Sequence, residues 1–117
     1  MSINYNLVLH MDSYDANIFR LVARNATNYL NALANKDVDL RVVANAGAVK
    51  LFTAINPGLR ELAIPLVQRG VRFVLCANAL AENKIEHADL WPECEVTPAG
   101  LVEIVRLQRE GFAYVKP

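Results

Sequence analysis

Two cysteines and two histidines are the side chains of this 117-residue sequence best suited to nucleophilic or proton-transfer chemistry. Cys76 closes an apolar run, Val71–Ala77, and stands directly ahead of a short helical stretch, Asn78–Asn83. The thiolate is the reactive form of cysteine. Backbone N–H groups at a helix start stabilise it and lower a thiol pKa below its usual ~8.5. The same position also suits an inert cysteine, because free cysteine often behaves as a small buried apolar residue. Cys94 should lie at the far end of the sheet from Cys76. A five-residue strand spans roughly 17 Å, whereas a disulfide needs α-carbons within ~7 Å, so no bridge is expected and Cys94 reads as a packing residue. His10, at the end of the first apolar segment, has the chemistry of a base or hydrogen-bond donor for a thiol, histidine titrating near ~6.5. It could equally be satisfied by loop backbone. His87, between Glu86 and Asp89, reads as solvated.

Other chemistries find little support. There is no Cys-x-x-Cys, His-x-x-x-His or His-Glu-x-x-His spacing, and His10 with Cys76 lacks a third and fourth ligand, so no metal is expected. Asn45-Ala46-Gly47-Ala48 matches neither a dinucleotide fingerprint nor a P-loop, although its N–H groups and Lys50 could hold a small anion. No Ser-His-Asp set or close carboxylate pair points to hydrolysis.

The elements that must position these residues follow from hydrophobic periodicity. Strands are expected at Ile3–His10, Val38–Ala44, Val71–Ala77, Glu95–Thr97 and Phe112–Val115. Apolar residues at helical spacing (Ile18, Leu21, Val22, Ala26, Tyr29, Leu30, Leu33) mark a helix over 16–34, with Asp12 or Ser13 as its N-cap. Further helical segments are expected at 49–53, 59–69, 85–90 and 101–110, with Pro65 kinking the second or marking two short overlapping pieces. Strands alternating with helices imply one three-layer α/β/α domain around a mainly parallel sheet. In such sheets ligands bind beyond the carboxyl ends of the strands. That brings His10–Asp12, Asn45–Gly47, Cys76–Asn78 and Pro98–Gly100 to one edge.

Composition fits this reading. A hydrophobic fraction of 54% with 21% charged residues argues against disorder, and the apolar excess suggests burial between copies of the chain. Twelve basic and twelve acidic residues cancel, and the basic ones are scattered, so neither nucleic acid nor an anionic membrane is an expected partner. No segment approaches the ~20 apolar residues of a membrane span. Met1–Asn6 lacks the basic start and apolar stretch of a signal peptide. The expected compartment is a reducing cytoplasm.

Three segments resemble the DsrE/DsrF-like family in its short single-domain form: Gly70–Asn78 with its cysteine, Val42–Leu51, and the tail Thr97–Pro117. The resemblance covers essentially the whole chain. It implies a five-stranded, mainly parallel sheet of order 4-3-2-1-5 and a homotrimeric or homohexameric assembly. That order sets the loops after strands 2 and 4 beside Cys76, so Asn45, Gly47 and Pro98 should stand nearer to it than His10, with Asn78 following in the next helix. Sulfur-relay members carry a cysteine after the third strand that accepts sulfur as a persulfide, and Cys76 matches that position. The function so implied is an intracellular persulfide carrier, sulfurtransferase-like, with sulfur donor and acceptor partners and no cofactor. The alternative is a non-enzymatic oligomeric protein that binds a small molecule or anion at the same edge.

Overall fold

The computed structural model of the chain describes residues 3–117. Five parallel strands form its sheet: β1 (Leu7–Met11), β2 (Leu40–Ala44), β3 (Arg72–Cys76), β4 (Glu95–Thr97) and β5 (Ala113–Val115), in spatial order β4-β3-β2-β1-β5. Four α-helices connect them: α1 (Ala16–Ala32), α2 (Pro57–Gln68), α3 (Ala77–Glu82) and α4 (Gly100–Arg109). Short 3₁₀ segments run over Ala46–Phe52 and His87–Asp89. The central strands are nearly unbroken apolar runs because both of their faces are covered, as parallel crossovers require.

Alternation along the strands divides the core in two. On one face Leu7, Leu9, Met11, Leu40, Val42, Ala44, Phe73 and Leu75 pack against α1, α2 and the 46–52 segment. Here α1 contributes Phe19, Val22, Ala23 and Ala26, whose three- and four-residue spacing makes one helical stripe. Phe19, Phe52, Phe73 and Trp91 form an aromatic cluster with centroids 5.1–6.2 Å apart, and Trp91 Nε1–H donates to the Thr53 carbonyl at 2.8 Å. The other face is thinner. Val8, Val43 and Val74 form a small buried cluster with Ile104 and Leu107 of α4 and with Phe112. The outer side of α4 leaves Leu101 and Val102 64% and 68% exposed, with Val105 beside them.

Several boundaries differ from the periodicity reading for local reasons. The first strand begins at Leu7 rather than Ile3, because Asn4 and Asn6 turn their side chains onto backbone. Asn4 Oδ1 accepts from Asn6 N–H, and Asn6 Oδ1 from Asp39 N–H. The N-cap of α1 is Asp15, not Asp12 or Ser13: its Oδ1 accepts from Asn17 N–H at 2.9 Å, while Asp12 pairs with Lys116. Residues 57–68 form a single helix with Pro57 in its first turn. Pro65 is tolerated inside it because it and Glu61, whose carbonyl loses its partner, both face solvent. Gly70 closes α2 at φ +94, with Gly70 N–H on the Val67 carbonyl and Val71 N–H on that of Leu66. Only 87–89 of the expected 85–90 segment is helical, as a single 3₁₀ turn.

Candidate functional site

Register carries the candidate residues to one edge. Met11 pairs with Ala44, Ala44 with Leu75, and Cys76 with Thr97, so the strands end in a line. One step beyond the ladder, Asn45 falls beside Cys76, and Asn45 N–H donates to the Met11 carbonyl at 3.0 Å. His10, Asn45 and Cys76 share the alternation of Val8, Val43 and Val74, which directs them toward the face that carries α4, while Cys76 also packs with the buried cluster of the opposite face.

Cys76 is a free thiol, 6% exposed, and is the N-cap residue of α3 at φ −78, ψ 119, with its side chain making no cap bond. The α3 helix has only six residues, so its dipole is short and offers the thiol little. A longer helix reaches the same place. A Cβ on Gly100, the first residue of α4, would lie 3.1 Å from Cys76 Cβ, 3.3 Å from Asn45 Cβ and 3.7 Å from Cys76 Sγ. The α4 N-cap, Ala99, offers no side-chain acceptor, so the first-turn N–H groups of this ten-residue helix start beside the cysteine without a side-chain cap. The glycine lets the helix end approach that closely.

Around the thiol runs a polar chain. His10 Nε2 lies 2.8 Å from Asn45 Oδ1, and His10 Nδ1 lies 2.6 Å from the Tyr114 hydroxyl. His10 is 8% exposed, and both of its ring nitrogens are thereby satisfied. Lys116 donates to Asp12 at 2.8 Å, tying the segment after β5 to the end of β1 and holding the Asp12 carboxyl below its usual range. Ala46, next to Asn45, holds a left-handed backbone at φ +49, and Asn83 Nδ2 donates to its carbonyl at 3.3 Å. A non-glycine residue in that region is strained, which is common where a loop is held for function.

The remaining sequence candidates fall as follows. Gly47 faces Tyr14 rather than the thiol, its would-be Cβ lying 3.5 Å from Tyr14 Cβ and backbone N. Lys50 places Nζ 5.4 Å from the Tyr14 ring centroid. Asn78 and Pro98 are exposed flanking residues, and His87 is exposed in its 3₁₀ turn. Asn45 and Gly100, from the loops after β2 and β4, stand against Cys76, while His10 reaches these surroundings through its bond to Asn45. The sequence assigns no individual role to Gly100 or Tyr114. Gly100 belongs to the Pro98–Gly100 loop at this edge, but nothing in the sequence ties Tyr114 to His10. Cys94, unpaired and three residues before Thr97, is set back from Cys76 by ~10 Å of strand. Burial, reinforced by the Glu93 carboxylate, pushes its thiol up to about 12. Among the described residues no group of three or more His, Cys, Asp or Glu side chains is placed to hold a metal ion. No helix among them is long and apolar enough to cross a membrane. Surface grooves lie elsewhere, one between α1 and α2 and one along Leu101, Val102 and Val105 of α4.

Comparison with known proteins agrees with this architecture. A solved structure described as a protein of unknown function, MTH1491 from Methanobacterium thermoautotrophicum, superimposes with a TM-score of 0.89 at 31% identity, over 97% of this chain and 100% of that one. The ychN protein from E. coli superimposes with a TM-score of 0.76 at 18% identity, over 96% and 99% of the two chains, and shows the shared fold. No curated protein matches the chain. The sequence model of the DsrE/DsrF-like family matches residues 9–117. With the parallel order β4-β3-β2-β1-β5 and a cysteine closing β3, this chain belongs to the DsrE/DsrF-like family.

Proposed function

We propose that the protein is a sulfur carrier that holds a sulfane sulfur on Cys76 as a persulfide. The observation that carries this reading is the meeting of Cys76, Asn45 and the uncapped start of α4 at the carboxyl edge of the sheet. The Cys76 thiolate attacks the outer sulfur of a donor persulfide, R–S–SH. The donor S–S bond breaks, a new S–S bond forms on Cys76, and RS⁻ leaves with the electron pair. An acceptor thiolate reverses the displacement and regenerates the Cys76 thiolate. The transferred sulfur keeps its oxidation state, so the exchange needs no redox cofactor. A reducing compartment such as the cytoplasm suits this chemistry because it returns Cys76 to the thiol. The exposed Leu101, Val102 and Val105 of α4 support self-association through that helix.

The 6% exposure of Cys76 favours the second reading, an oligomeric protein that binds a small molecule or anion at this edge with Cys76 only lining it. Intact-protein mass spectrometry after incubation with a persulfide donor separates the two. The carrier gains one sulfur on the wild type and none on Cys76→Ser. Absence of uptake by the wild type leaves the binding protein standing.

A further inference from the structure

The hydrogen bonds along the sheet edge have a direction that the chemistry of the groups dictates. A carboxamide oxygen only accepts, so the His10 nitrogen facing Asn45 Oδ1 at 2.8 Å, Nε2, carries the proton. In the neutral ring Nδ1 then bears the lone pair, and the Tyr114 hydroxyl 2.6 Å away donates to it. Every proton in the chain Tyr114–His10–Asn45 therefore points toward Asn45. Each bond polarises the next, and drawing electron density onto Oδ1 makes the carboxamide N–H group a stronger donor. The sheet supplies the alignment. Val8 pairs with Tyr114, which sets the tyrosine two residues behind His10 on the same face, and Asn45 follows across β2.

The chain ends at a donor that no described side chain or backbone group accepts from and that is open to solvent. Asn45 Nδ2 makes no hydrogen bond to another described residue, while its Cβ and that of Cys76 both lie within 3.3 Å of the space above Gly100. A persulfide extends Cys76 by one further sulfur, roughly 2.05 Å beyond Sγ. Its outer atom, when ionised, is a strong acceptor. We infer that the Tyr114–His10–Asn45 chain locks the Asn45 carboxamide so that Nδ2–H donates to the outer sulfur of a Cys76 persulfide. Asn45 is then the group that touches the cargo, and His10 and Tyr114 are positioning residues. This inference rests on the carrier reading above, and it adds which residues hold the transferred sulfur.

The test follows sulfur uptake from glutathione persulfide, and the lifetime of the protein persulfide after the donor is removed, by intact mass. Asn45→Asp keeps the oxygen that accepts from His10 but replaces the N–H donor with a carboxylate, and should cut the persulfide lifetime on the order of tenfold or more. Tyr114→Phe removes one hydroxyl from a partly exposed ring and should cost roughly two- to fivefold. The double variant should be no worse than Asn45→Asp alone, because Tyr114 acts only through Asn45. A merely structural role for Tyr114 predicts the same loss in both backgrounds, and that result overturns the inference. So does a wild-type lifetime in Asn45→Asp. If circular dichroism shows Asn45→Asp unfolded, Tyr114→Phe decides alone: a shortened lifetime at an unchanged melting temperature supports the chain, and an unchanged lifetime refutes it. A wild type that takes up no sulfur removes the carrier reading and this one together. A wild type that loads normally beside indifferent variants removes only this one.

Discussion

Replacing Gly100 with alanine tests whether the space beside Cys76 is used. The new Cβ would sit 3.1 Å from Cys76 Cβ and 3.3 Å from Asn45 Cβ. Carbon atoms attract best at about 3.5–4.0 Å, so both contacts are compressed. Both neighbours are β-carbons fixed to the ends of β3 and β2, and neither can swing aside by changing rotamer. The start of α4 must therefore move by a few tenths of an ångström. Overpacking of this kind costs about 1–3 kcal/mol, and the better helix propensity of alanine returns up to about 1 kcal/mol. The net expectation is a loss of about 1 kcal/mol, a fall in Tm of roughly 3–6 °C for a domain of this size. Gly58→Ala is the matched control. Gly58 lies in α2 with nothing within 4 Å of its would-be Cβ, so the substitution should stabilise by about 0.5–1 kcal/mol. The sulfur chemistry should suffer more than the fold. The added methyl lies 3.7 Å from Sγ, ordinary contact for a thiol, but a further sulfur bonded to Sγ on that side would be crowded against it. Thermal melts and intact-mass sulfur uptake, run on both variants, check this. A Gly100→Ala protein that melts and loads like the wild type refutes the steric argument.

Cys94 and the outer side of α4 each carry a further prediction. The Cys94 thiol, raised from 9.0 to about 12 by burial and by Glu93, stays protonated in the fold at pH values where the unfolded chain has ionised it. The unfolded state then holds fewer protons, so stability falls as pH rises between those values, by up to about 1.4 kcal/mol per pH unit. Cys94→Ala should flatten that alkaline slope in denaturant titrations, and an unchanged slope would contradict the assignment. Self-association through α4 predicts that the chain sediments as an oligomer and that Val102→Glu, at an exposed site, yields smaller species without lowering helix content. A wild-type monomer, or an assembly indifferent to this charge, rules the surface out.

The parts of the structure legible in the sequence were those fixed by local pattern. Val71–Ala77 read as a buried strand because its apolar run is nearly continuous, and that reading placed Cys76 at the strand end where the structure has it. Strand order is different: spacing alone implies only a parallel sheet, and the order came with the family resemblance. The N-cap of α1 is ambiguous in the sequence because Asp12, Ser13 and Asp15 are chemically similar candidates; Asp15 takes the role, and Asp12 is engaged instead by Lys116, 104 residues away. The role of Tyr114 is hidden in the sequence for the same reason, since its partner His10 is also 104 residues distant. Gly100 has no side chain to attract attention. Its importance lies in what its missing Cβ leaves open, which only the packed structure displays.

The most direct test of the carrier account is sulfur hand-off in a single turnover. The protein is loaded with a persulfide donor, freed of excess donor, and mixed with an acceptor thiol while the mass of the Cys76 peptide and of the acceptor are followed together. The account predicts that one sulfur leaves Cys76 and appears on the acceptor as the thiol is regenerated, with no transfer from Cys76→Ser. A wild type that never loads, or one whose sulfur leaves Cys76 without reaching the acceptor, contradicts it.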